Sequence, residues 1–130
     1  MMRWVRQSFY VLAMTALVVP AVHAHHSAAA YDISQTLSIA GTLKEFDFSA
    51  PHAGVRVVYT NDKGEAAEML VSTVAPAMIL AQGFMPKDFR KGQKVELTFH
   101  PYRSGAAGGD LVTMKLEDGR ILQSGPPVKK

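Results

Sequence analysis

Four histidines are the residues of this sequence with the clearest chemical potential. His25 and His26 are adjacent, and His52 and His100 follow much later in the chain. Neutral imidazole is a ligand that both copper and zinc accept, so a site that collected these side chains would bind either metal. No tight spacing motif fixes such a geometry. Taken singly, His52 and His100 are better explained as loop residues that form local hydrogen bonds, and the adjacent pair as part of a solvated arm.

The position of His25 adds a second metal-binding group. Residues 1–24 have the parts of a secretory signal: a basic start, an apolar run over residues 9–19, and small residues before a cleavage site after Ala24. Cleavage there would give His25 a free α-amine beside its imidazole, a nitrogen-rich pair that suits copper(II). The apolar run is too short for a membrane span, which needs about 20 residues. The alternative is an uncleaved N-terminal anchor.

Export predicts a periplasmic protein with no membrane contact after signal cleavage. The signal contains Arg3 and Arg6 and no acidic residue, so 12 basic and 11 acidic residues remain in the mature chain. This near-neutral balance, together with export, argues against nucleic acid as a partner. The chain contains no cysteine, so no disulfide stabilises the domain.

A glycine-rich loop over residues 103–110 is a second candidate site. Its glycines could let successive N–H groups form an anion nest, and Arg103 could add paired hydrogen bonds to the anion. No Gly-Lys-Ser/Thr follows, so the loop is not a Walker phosphate loop. The alternative is a flexible connection between two strands.

Alternating apolar residues predict a mainly β domain. The period of two indicates strands over residues 36–48, 55–59, 67–71, 95–99 and 112–116, with a short sixth strand at 121–122. In the first strand the apolar phase slips after Leu43, which predicts a bulge, and Gly41 predicts a bend. In the fifth strand the expected apolar face is Val112, Met114 and Leu116.

One short helix is predicted between strands three and four. Ser72 or Thr73 would cap it, and it would end near Gln82, with Gly83 as the residue that terminates it. We expect its buried side to be Met78, Ile79 and Leu80, with Phe84, Met85 and Phe89 covering the bottom of the barrel.

The order of these elements predicts a small OB-like, five- to six-stranded Greek-key barrel, with a generic β-sandwich as the alternative. The chain then divides into a signal peptide (1–24), a loosely held N-terminal arm (25–35), the barrel (36–123) and a flexible tail (124–130). In an OB-fold the loops after strands one and four flank the binding face. His52, His100 and Arg103 would therefore lie at one mouth of the barrel.

The chain also resembles a family of small exported bacterial proteins of unknown function. The shared motifs are a His-His-Ser mature start, an Asn-Pro-His loop, a helix start ahead of a glycine and an aromatic, a Pro-x-Arg-x-Gly loop and an Asp-Gly turn. Their counterparts here are His25-His26-Ser27, Ala50-Pro51-His52, Ala75-Pro76 with Gly83-Phe84, Pro101-Tyr102-Arg103-Ser104-Gly105, and Asp118-Gly119. Ala50 departs from the pattern, because it stands where the family has asparagine. The resemblance implies periplasmic location and a β-barrel-like domain.

Catalysis has little support in the sequence, which has no cysteine nucleophile and no serine in an elbow motif. We therefore expect a non-enzymatic periplasmic binding module that binds copper or zinc through His25 and His26, with His52 and His100 as further ligands. The alternative is an accessory protein that binds a small anion, a peptide or a periplasmic partner protein through the rim loops and Arg103.

Overall fold

The alternating apolar residues form strands in the computed structural model, which describes residues 29–124. One short α-helix and one turn of 3-10 helix connect the third strand to the fourth. The strands and the helix, in chain order, are β1 (Leu37–Asp47), β2 (Gly54–Thr60), β3 (Ala66–Ser72), α1 (Pro76–Ala81), β4 (Lys94–Pro101), β5 (Gly108–Lys115) and β6 (Ile121–Gln123). Within this part of the chain, no helix has the length and apolar character needed to cross a bilayer.

The sheet closes into a five-stranded barrel. Its order is β3-β2-β1-β4-β5, and a parallel pairing between β3 and β5 joins the two ends. The remaining neighbours are antiparallel, and β6 adds to the outer edge of β5. This is the topology of the OB-like barrel that the element order predicted, and the β3–β5 pairing rules out an open sandwich.

The first strand serves two sides of the barrel because it bends. It pairs with β4 through its first half and with β2 through its second half. Its register with β2 shifts between Leu43 and Glu45, which is the bulge expected from the phase slip. A Cβ atom on Gly41 would lie 2.6 Å from the Val58 carbonyl oxygen, so this position of the bend has no room for a side chain.

Buried aliphatic and aromatic side chains fill the barrel. An aromatic cluster closes the end below β1, where the Phe46 and Phe89 rings stack at a centroid distance of 3.8 Å and Phe84 packs beside them. Met85 was expected to join this cover, but its side chain is 49% exposed. The cover is therefore made by phenylalanines from two segments of the chain, β1 and the connection between α1 and β4.

The helix differs from its sequence-based prediction at both its start and its buried face. It begins after Ala75, whose side chain forms no cap, and neither Ser72 nor Thr73 caps it. Ser72 is the last residue of β3, and the Thr73 hydroxyl donates to the Ser124 hydroxyl at 3.0 Å. Of the three residues expected to be buried only Ile79 is, because a helix of six residues presents less than two turns to the barrel.

The structure also corrects the prediction of which β5 residues face the core. Leu111, Met114 and Leu116 are buried, whereas Val112 is only partly covered. The cause is a register shift between Thr98 and Phe99 in the pairing of β4 with β5. This bulge changes which residues of β5 face the core, and a strict period of two could not anticipate it.

An electrostatic clamp holds the turn between β5 and β6 against the base of the barrel. The Asp88 carboxylate accepts hydrogen bonds from the Met85 N–H at 2.7 Å and from the Arg120 guanidinium at 3.0 Å. The same guanidinium donates to Asp118 and lies over the Phe84 ring, 5.1 Å from its centroid. These hydrogen bonds, from Arg120 first and Met85 second, lower the pKa of Asp88.

We predict that this clamp makes stability depend on pH. A carboxyl group whose pKa is lower in the folded state contributes stability above its unfolded pKa, and that contribution is lost as the pH falls through the folded pKa. Asp88→Asn should therefore lower the urea midpoint at pH 7, and the difference between variant and wild type should be smaller at about pH 3. Asp62→Asn, on the exposed β2–β3 turn, is the control and should match wild type at both pH values. Equal midpoints for Asp88→Asn and wild type at pH 7 would show that the clamp contributes nothing.

Candidate functional site

The loops that follow β1 and β4 meet at the end of β3. His100 of β4 is paired with Asp110 of β5, and Asp110 is paired in turn with Ser72 of β3. Ser72 also faces Gly54 of β2, two residues after His52. Four neighbouring strands thus place the two sequence-predicted loop histidines on the same side of the barrel.

The Asp110 carboxylate lies in the electrostatic field of both histidines. Its side chain is partly buried, and this burial raises the pKa of Asp110, while the neighbouring His100 and His52 imidazoles act to lower it. The sequence-based interpretation included Asp110 only as the last residue of the glycine-rich loop. One feature of the sequence could have pointed to Asp110. It directly follows Gly108 and Gly109, and a pair of glycines at the start of a strand lets two strands approach closely.

His100 is oriented by a backbone group. Its Nδ1 atom lies 2.7 Å from the carbonyl oxygen of Gln35. A carbonyl oxygen can only accept a hydrogen bond, so Nδ1 carries the proton and Nε2 of the neutral ring keeps its lone pair. A histidine held in this way by a carbonyl group is the usual arrangement for metal ligation through the other nitrogen.

The second half of the N-terminal arm is anchored to the loop after β4. The Asp32 N–H donates to the Pro101 carbonyl at 2.8 Å, and the Arg103 N–H donates to the Ala30 carbonyl at 2.9 Å. The sequence alone indicated a loosely held arm over residues 25–35, and these hydrogen bonds correct that expectation for residues 30–32. His25 and His26 lie outside the described residues.

Tyr31 brings the arm next to Asp110. Its ring stacks on Tyr102 with centroids 5.1 Å apart, and the two residues form an isolated β-bridge. Burial raises the pKa of the Tyr31 hydroxyl, with further contributions from Tyr102 and Asp110, while the Ser72 hydroxyl opposes them. We call the set of neighbouring side chains at this place the rim cluster, which comprises Tyr31, His52, Ser72, His100, Tyr102 and Asp110.

The rim cluster does not contain a complete metal site by itself. Among residues 29–124, no three histidine, cysteine, aspartate or glutamate side chains are close enough together to hold a metal ion. Structural zinc is held by four ligands, and catalytic zinc by three plus water. Any metal bound at the rim cluster must therefore take further ligands from outside this part of the chain.

Two glycines allow the strands of the rim cluster to approach each other. A Cβ atom on Gly108 would lie 2.2 Å from the Leu70 carbonyl oxygen, and one on Gly109 would lie 1.9 Å from the His100 carbonyl oxygen. Gly108 also has a φ of +114°, in the region that favours glycine. These glycines permit close strand packing, a role that the sequence-based interpretations of the loop did not include.

The loop before these glycines uses its own N–H groups internally. The Gly105 N–H donates to the Tyr102 carbonyl at 3.1 Å, and the Ala106 N–H donates to the Ser104 hydroxyl at 3.2 Å. Together with the bond from the Arg103 N–H, this leaves few donors for an anion nest. The Arg103 side chain instead lines an open groove of about 590 Å³, so any anion bound here would be held mainly by its guanidinium.

Comparison with known proteins places most of the chain in one group. A family model described as a family of unknown function (DUF6152) matches residues 13–112. No curated protein matches the chain. The expected resemblance to a family of unknown function is confirmed, while export and the individual motifs stay predictions.

Proposed function

The chain belongs to the DUF6152 family of unknown function, and we propose that it is an exported, periplasmic, non-enzymatic module that binds copper or zinc. In this proposal the ion lies at the rim cluster. His52 and His100 supply imidazole nitrogens together with the mature N-terminal residues His25 and His26, and the Asp110 carboxylate balances the charge of the ion from outside the ligand set.

The observation that carries the proposal is the pairing of His100, which is already oriented, with Asp110, on the side of the barrel where His52 also lies. The Nδ1 atom of His100 is held by the Gln35 carbonyl, so its Nε2 atom is the nitrogen left for a ligand. The partly buried carboxylate lies near both imidazoles. Bringing these groups together in advance lowers the ordering cost of binding an ion.

The anchored arm supports a role for the N-terminal histidines. Tyr31 is fixed against Tyr102, beside Asp110, and His26 precedes it by five residues. Five residues span at most about 18 Å when fully extended. The chain length therefore permits the imidazoles of His25 and His26 to meet the rim cluster. A nitrogen-rich set of ligands suits copper(II) and zinc, which is why both are proposed.

The test is a titration of the mature protein, beginning at His25, with Cu²⁺ and separately with Zn²⁺. Affinity would be measured by competition with a chromophoric chelator at pH 7.5. We expect one ion per chain, and we expect His100→Ala and deletion of residues 25–26 each to weaken binding at least about tenfold, since each removes a ligand. Asp110→Asn tests the carboxylate, with Glu117→Gln, an exposed acid on the β5–β6 turn, as its matched control.

Two outcomes would contradict the proposal. If His52→Ala, His100→Ala and wild type bind the ion equally, the rim cluster is not the site and the N-terminal histidines act alone. If no variant or wild-type protein competes with the chelator, the protein does not bind these metals. Far-UV circular dichroism of each variant shows whether the barrel is intact, so a loss of affinity is not confused with unfolding.

A further inference from the structure

The groove beside Arg103 has two walls of different character. One wall is the loop over residues 103–107 together with Gly108, and the other includes Met69 of β3 and Asp62 of the β2–β3 turn. At its bottom the groove reaches Phe99 and Ile39 in the barrel. It therefore lies where β3 and the chain leading into β5 separate, and it shares Tyr102 with the rim cluster.

The edge of β3 is unpaired next to this groove, which Met69 of β3 lines. The pairing of β3 with β5 begins at Leu70 and continues to Ser72, whereas Ala66–Met69 pairs only with β2 among the described residues. Alternate residues of this four-residue stretch thus direct their backbone N–H and C=O groups away from β2. An unpaired strand edge is a template for the addition of another extended chain.

The outer edge of β6, unlike the free edge of β3, is covered by a side chain. The outer edge of β6 is covered by the Gln82 side chain, whose amide accepts from the Gln123 N–H at 2.9 Å and donates to the Gln123 carbonyl at 2.8 Å. This side-chain amide substitutes for a neighbouring strand. The protein thus blocks one edge, as proteins commonly do to prevent unwanted pairing, and leaves the other beside a groove.

The groove also has a defined chemical preference. Its apolar lining comes from Leu37, Ile39, Tyr59, Met69 and Phe99. None of the ion pairs among residues 29–124 uses Arg103. The Asp32 carboxylate also lines the groove and the Arg103 charge helps to lower its pKa, but it accepts its hydrogen bonds from Ser34 and Gln35 and forms no ion pair with Arg103. The Arg103 guanidinium is therefore positioned to pair with a carboxylate supplied by a ligand.

We propose that this groove binds an extended peptide segment of a partner protein, which adds a short strand to the free edge of β3. An apolar side chain of the peptide enters the space above Met69 and Phe99, and a carboxylate of the peptide pairs with Arg103. The small residues of the loop, from Gly105 to Gly108, leave room for the peptide backbone. This proposal does not depend on the ion site.

The test is a selection of random eight-residue peptides displayed on phage, on immobilised mature protein with a metal chelator present throughout. We expect enrichment of sequences that alternate apolar residues and contain an aspartate, a glutamate or a terminal carboxylate. The most enriched peptide is then synthesised and its affinity measured by fluorescence anisotropy. We expect Arg103→Ala to weaken binding about tenfold, the usual effect of losing one charge-assisted hydrogen bond.

A second variant tests whether the peptide binds in the groove. Ala107→Trp fills the groove from an exposed loop position and should abolish binding, while Arg90→Ala, an exposed arginine elsewhere, should leave it unchanged. Failure to enrich any peptide would overturn the proposal. Binding that survives Ala107→Trp, or that is weakened equally by Arg90→Ala and Arg103→Ala, would also overturn it.

Discussion

Gly109→Ala is expected to destabilise the protein by at least about 3 kcal/mol, at the upper end of what overpacking a well-packed site usually costs. The new methyl group would lie 1.9 Å from the His100 carbonyl oxygen, 2.8 Å from its carbon and 3.0 Å from the Pro101 Cα atom. All three atoms belong to the backbone of β4, so no side-chain rotation can relieve the clash. Strands β4 and β5 must separate at the point where the barrel closes.

The matched control is Gly54→Ala, another glycine in a strand. Its Cβ atom would meet only the end of the Leu70 side chain, at 3.4 Å, and that end can move. We expect a change within about 0.5 kcal/mol of wild type. Urea unfolding followed by circular dichroism measures both free energies of unfolding. Equal values for Gly109→Ala and Gly54→Ala would show that β4 and β5 can move apart at little cost.

The same clash should affect the ion site. Gly109 precedes Asp110 in β5 and its partner Pro101 follows His100 in β4, so the clash lies next to the pairing of His100 with Asp110. Any separation of β4 from β5 moves these side chains apart. If Gly109→Ala still folds, it should therefore bind Cu²⁺ or Zn²⁺ more weakly than Gly54→Ala.

The barrel was predictable because its signals are local. A strand with one buried face has a period of two, and each turn needs residues such as Gly64 and Gly83, whose φ values of 78° and 87° favour glycine. The bulge in β1 could be predicted because it moved apolar residues out of phase within one strand. The bulge between β4 and β5 could not, because it depends on how two strands align with each other.

The candidate site was predictable only in part, for a related reason. The loop positions of His52 and His100 follow from the fold, so their placement on one side could be expected once an OB-like barrel was proposed. The roles of Asp110 and Tyr31 could not, because they depend on strand register and on backbone hydrogen bonds of the arm. Such bonds use groups that every residue has, and they leave no pattern in the sequence.

Phe89→Ala is the second substitution with a large expected effect, a loss of about 3–5 kcal/mol in the free energy of unfolding. The Phe89 side chain is buried and its ring contacts three others: it stacks on Phe46, with Phe48 and Phe84 at centroid distances of 5.6 and 5.8 Å. Because Phe46 and Phe48 are held at the end of β1 and Phe84 is held in the connection after α1, these rings cannot close around the cavity together. The lost contacts and the cavity therefore both contribute to the destabilisation.

Met85→Ala is the matched control, because Met85 belongs to the same connection between α1 and β4 but has a 49% exposed side chain. Its backbone N–H continues to donate to Asp88, since that hydrogen bond does not involve the side chain. We expect its free energy of unfolding to lie within about 0.5 kcal/mol of wild type. The comparison separates the aromatic cover from the connection that carries it. If Met85→Ala costs as much as Phe89→Ala, the stability of this end comes from the connection as a whole, and the stacked rings are not what closes the barrel.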